Sequence, residues 1–131
     1  MNTLNASVVN IESMDEISIV TFKTDDTQMK MMSLSLNMPI KIGSKIILGV
    51  KASSILIAKD LSGILSASNQ LKCIIKSINT GVLLSSIKLS FFDSVIESII
   101  TKDSSLKMNL QVGDEVLAII KASELSILKV V

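Results

Sequence analysis

Two short stretches of this chain bring together residues suited to chemistry. Lys51-Ala52-Ser53-Ser54 and Lys121-Ala122-Ser123-Glu124 each set a cation beside a small residue and hydroxyls, seventy positions apart. Each phrase closes an apolar run, and each follows a glycine at the same distance, Gly43 or Gly113. A lysine ammonium carries three donors and a serine hydroxyl rotates to donate, so the pair suits an anion that offers only acceptors. The bland reading of Lys51 and Lys121 is a pair of strand-end lysines with solvated head groups.

Composition removes most competing chemistries. All thirteen basic residues are lysine, and histidine, arginine, tryptophan and tyrosine are absent. Without histidine there is no imidazole base and no usual zinc or iron site. Without arginine no guanidinium fork grips an anion, which leaves ammonium groups, hydroxyls and backbone N–H groups. Ser53, Ser66 and Ser123 have no histidine to activate them, so a serine hydrolase is excluded and the chain reads as a non-enzyme.

Other clusters read as structure. Cys73 is the single cysteine, so no intrachain disulfide forms, and its strand-like context makes it a small hydrophobe. Met29, Met31, Met32 and Met38 suggest a thioether copper(I) site, but alternation puts Met29 and Met31 on one strand face, as packing does. The acidic pairs Asp15-Glu16 and Asp25-Asp26 read as solvated hairpin turns. A net charge of +1 creates no broad field for nucleic acid or membrane.

The elements that hold the two phrases come from a repeat. Asn2-Thr3-Leu4 aligns with Asn69-Gln70-Leu71, and Ile42-Gly43-Ser44-Lys45-Ile46 with Val112-Gly113-Asp114-Glu115-Val116. A break near Asp60-Leu61-Ser62-Gly63 divides the chain into domains 1–63 and 64–131. Alternation at 17–22 and 87–91 predicts strands, and 116–120 reads as a strand buried on both faces. Asp103 is the expected cap of a short helix through Met108, with at most a vestige near Pro39 in the first copy. The fold class is therefore all-β: two tandem OB-like five-stranded Greek-key barrels, each with at most one short helix. Units so small are marginal alone, so a homo-oligomer is expected. No apolar run approaches the roughly 20 residues of a membrane span, and no signal peptide opens the chain, so it reads as cytoplasmic without a membrane partner.

At Ser66-Ala67-Ser68-Asn69-Gln70-Leu71-Lys72 and Val112-Gly113-Asp114-Glu115-Val116 through Ile120-Lys121-Ala122-Ser123, the chain resembles the molbindins, small molybdate-binding proteins built of Mop (TOBE-type) domains. Their units typically open Ser-Ala-Arg-Asn-Gln-Leu-Lys-Gly and close Val-Gly-Asp-Glu-Val-x-Ala-Xaa-Ile-Lys-Ala-Ser. The resemblance covers both copies and is stronger in the second. It implies a trimer that captures and stores or buffers molybdate, with tungstate as a matching ligand, at subunit interfaces. By position it implies Ser66, Ser68, Lys121, Ala122 and Ser123 around one kind of site, with Lys51, Ala52 and Ser53 contributing from the first copy. A second kind of site falls on Val82, Leu83 and Ser85.

Three departures bear on those expectations. Ser68 stands where the family has arginine, Cys73 replaces a glycine, and the first copy opens at Asn2 without a preceding Ser-Ala-Arg. Unequal binding by the two copies is expected, and Glu124 must point away from any anion at Ser123. Two other functions remain: an effector-sensing module of a molybdate-responsive regulator or transporter assembly, and an OB-type single-stranded nucleic-acid binder. The latter lacks its usual aromatic platform, with only Phe22, Phe91 and Phe92.

Overall fold

In the computed structural model, which describes residues 1–131, the apolar–polar alternation becomes ten strands in two antiparallel sheets. The first copy supplies β1 (Asn2–Met14), β2 (Ile17–Thr24), β3 (Thr27–Ser33), β4 (Lys45–Val50) and β5 (Leu56–Ala58). The second supplies β6 (Asn69–Thr80), β7 (Leu84–Phe91), β8 (Ser94–Thr101), β9 (Glu115–Ile120) and β10 (Ser126–Val130). Single 3-10 turns, Ala52–Ser54 and Ala122–Glu124, carry the two Lys-Ala-Ser phrases. The acidic pairs sit in hairpin turns, where Asp15 and Asp25 adopt φ of 56° and 52°, a conformation that aspartate tolerates.

The copies trade their last strands. One sheet runs β10-β4-β1-β2-β3 and the other β5-β9-β6-β7-β8. Leu56 of β5 pairs with Ile119 of β9, and Ser126 of β10 pairs with Gly49 of β4. The 3-10 turn after β4 or β9 redirects the chain off its own sheet and onto the other. Gly49 makes room for the arriving strand, because a Cβ there would lie 2.6 Å from Leu128 Cγ.

One core results. Twenty-four buried residues form a single cluster drawn from both copies, with Phe22, Met29 and Leu48 from the first and Leu71, Ile87 and Phe91 from the second. Sharing strands thus lets two marginal units bury apolar surface as one body. The free edges of β3 and β8 are covered too. The Asn69 amide accepts from Lys30 N–H at 2.7 Å and donates to Lys30 O at 2.9 Å, so it acts as a one-residue strand partner for β3. Asn2 does the same for Glu97 on β8, at 2.8 and 2.7 Å.

The same backbone device recurs in both copies. Gly43 and Gly113 each have φ of 93°, and their N–H groups donate at 2.8 Å to Val8 O and Ile75 O, beside a bulge in β1 and in β6. Only glycine takes that conformation without strain. The short helix α1 spans Lys102–Lys107 and occurs in the second copy alone. Its cap is Thr101 rather than Asp103: the Thr101 hydroxyl accepts from Ser104 N–H at 3.2 Å. The extended backbone at the end of β8 already has the cap geometry, so Asp103 falls in the first turn and complements the helix dipole instead. No helix is long and apolar enough to cross a membrane.

Candidate anion-binding groove

Register brings the opening and closing segments of the second copy together. Asn69 of β6 pairs with Ile120 of β9, so Ser66–Ser68 and Lys121–Ser123 leave the same end of the same strand pair. Ser66, Ser68, Lys121, Ala122 and Ser123 all line one groove of about 370 Å³, together with Met32, Leu56, Leu65, Ala67 and Ile119. Leu56 comes from the first copy on the exchanged β5, and Met32 from β3 at the edge of the first copy's own sheet. No sequence signal marked those two, because only the tertiary fold carries them there. Ala122 and Ser123 open the 3-10 turn, so their N–H groups have no partner within it.

Charge separates this groove from the other three principal ones. The largest, about 750 Å³, is mostly apolar and holds Glu115 as well as Lys72 in its lining. A groove of about 400 Å³ holds Lys23 and Lys45 but also Asp25. A third, built around Met31, Leu34 and Met38, has no charged residue at all. Only the groove at Lys121 offers a cation and hydroxyls with no carboxylate in its lining. That is the donor-only surface an oxyanion requires.

Glu124 does point away. Its Oε2 accepts from the Ser54 hydroxyl at 3.3 Å, so the two Lys-Ala-Ser turns touch across the molecule. Lys51 and Ser53 are exposed and Ala52 half-buried, and none of the three lines a principal groove. The first turn instead docks on β8, where the Ser98 hydroxyl donates to Ile55 O at 2.6 Å.

The second group of expected residues is divided. Val82 and Leu83 are exposed at the β6–β7 hairpin, whereas Ser85 is buried. Its hydroxyl shares hydrogen bonds with Thr80 Oγ1 at 3.1 Å and Ser105 Oγ at 3.4 Å. Cys73 is buried, and burial pushes its thiol up to about 11 against a weaker opposing hydrogen bond from the Ala118 backbone, so it carries no thiolate near neutral pH. Met29 and Met31 are core residues. Phe22 and Phe91 are buried as well, which leaves Phe92 as the one exposed ring.

Comparison with known proteins places this geometry. Residues 65–127, from the groove's opening segment through its closing turn, match the TOBE domain. The chain belongs to the TOBE-domain family. A molybdate-binding protein from Sporomusa ovata is 31% identical, with a TM-score of 0.50 over 51% of this chain and 100% of that one. The cytoplasmic molybdate-binding protein ModG, solved with molybdate bound, superposes with a TM-score of 0.90 over 96% of this chain and 94% of its own. Its identity is 24%, so it establishes the shared fold of two TOBE-like copies and nothing finer. No curated protein matches the sequence at a significant level.

Proposed function

We propose that this TOBE protein captures molybdate, or tungstate, in the cytoplasm and holds it reversibly as a store or buffer. The observation that carries the reading is the groove at Lys121. It gathers five residues marked by the sequence and, alone among the principal grooves, has a cation with no carboxylate. Molybdate is a tetrahedral dianion with acceptors only. Lys121 supplies charge, Ser66, Ser68 and Ser123 supply hydroxyl donors, and the Ala122 and Ser123 N–H groups complete a donor shell. Relatives that bind molybdate share the fold, one of them at 31% identity.

The groove is open to solvent, and its rim carries the exposed apolar residues Met32, Leu56 and Leu65. A second copy of the chain would cover that rim and desolvate the anion, which fits a homo-oligomer, a trimer by family resemblance. Copies 1–63 and 64–131 remain the natural evolutionary units of such an assembly. Val82, Leu83 and Ser85 are a weaker candidate for a further site, since the Ser85 hydroxyl is already engaged.

Titration calorimetry with molybdate, tungstate and sulfate tests the proposal. Saturable heats for molybdate and tungstate well above those for sulfate are expected, and equal weak heats for all three would sink it. Lys121→Ala removes a charge-assisted contact, so affinity should fall about 10- to 100-fold with the fold intact.

A further inference from the structure

The two Lys-Ala-Ser turns differ at their fourth residue, Ser54 in one and Glu124 in the other, and these two side chains meet. We infer that the Ser54–Glu124 contact assigns oxyanion capture to one turn of each chain; this rests on the capture reading above. The contact acts on both turns. Ser54 draws the carboxylate toward itself, and Glu124 is accordingly absent from the lining of the Lys121 groove although it adjoins Ser123 in sequence. At the same time the carboxylate takes the Ser54 hydroxyl, one of the few donors of the first turn, and brings a negative charge to the residue that follows Ser53. A tetrahedral dianion at the first turn would meet that charge at close range.

Magnitudes support a selective effect rather than a collapse of binding. A carboxylate within roughly 7 Å of a dianion in water-like surroundings lowers affinity about threefold to tenfold. Losing a hydroxyl donor adds to this at the first turn alone. The second turn escapes the penalty only while Ser54 holds Glu124 aside. Ser54 is thus a positioning residue for the Lys121 groove, and Glu124 sharpens the preference for that groove over the first turn.

Calorimetric stoichiometry with molybdate on the full-length protein tests this. In the wild type, Lys51→Ala should leave binding unchanged. Glu124→Ala should add a second, weaker binding event per chain, and Lys51→Ala in that background should remove it. Glu124→Gln, which keeps the side-chain shape, should show the same event if charge rather than bulk excludes the anion. Ser54→Ala should weaken the original site about threefold to tenfold, and the double variant Ser54→Ala, Glu124→Ala should restore it. Unchanged stoichiometry in both Glu124 variants, or loss of wild-type binding on Lys51→Ala, would overturn the inference and leave capture at Lys121 standing. No molybdate binding by any variant would overturn both readings.

Discussion

Asn69 shows how a single side chain can be worth more than its charge or size suggests. Its amide is fully buried and makes two hydrogen bonds to the Lys30 backbone, at 2.7 and 2.9 Å. Asn69→Ala would leave a backbone N–H and a carbonyl of β3 without partners. A loss of about 2–4 kcal/mol is expected in urea unfolding. Asn2 makes the equivalent pair to Glu97 but is only half-buried, so Asn2→Ala should cost less, about 1–2 kcal/mol. Equal losses would show that burial does not set the difference. The opening segment therefore divides its labour: Asn69 locks the fold, while Ser66 and Ser68 stay free at the groove.

Among the elements, α1 and its surroundings tie the copies together after the strands have exchanged. The Thr101 hydroxyl caps the helix start, and Thr101→Ala should lower stability by about 1 kcal/mol, read from the shift in urea midpoint. At the other end, Lys59 of the first copy donates to Asn109 O at 3.0 Å and pairs with Asp114 at 3.0 Å. That hydrogen bond to Lys59, aided by the Gln111 N–H, holds the Asp114 carboxyl below the ordinary aspartate value of 3.8. A carboxyl depressed in the folded state contributes stability fully above its unfolded value and loses it as pH falls through its folded value. The wild type should therefore lose stability below about pH 4 more steeply than Asp114→Asn. Superimposable acid limbs in the two unfolding curves would remove the Lys59–Asp114 link from the stability argument.

For the whole molecule, the decisive feature is the reciprocal loan of β5 and β10. Each sheet is complete only with a strand from the other copy, and the core is continuous across both. The link between β5 and β6 is exposed from Asp60 to Ser66, well suited to an engineered protease site. A cut there should leave the two fragments as one particle in size-exclusion chromatography and native mass spectrometry at micromolar concentration. Separation into two folded fragments would mean that the exchanged strands contribute little. The same exchange helps build the groove, because Leu56 reaches it on the loaned β5, while Met32 faces it from β3 in the first copy's own sheet.

The repeat and the all-β class were legible in the sequence through local pattern, whereas the grouping of Ser66, Ser68, Lys121 and Ser123 was implied by the resemblance to the molbindins, and the register of the strands supplies its physical reason. Alternation sets which face a residue takes, and Asn69 opposite Ile120 fixes which segments emerge side by side. The helix cap lies at Thr101, two residues before the expected Asp103, since the competition between them is settled by where β8 ends. Tertiary structure alone decided the strand exchange, the cross-copy walls of the groove and the meeting of Ser54 with Glu124. Each depends on where a chain goes after a 3-10 turn, and both possible destinations, its own sheet or the other, satisfy the same local pattern of apolar and polar residues.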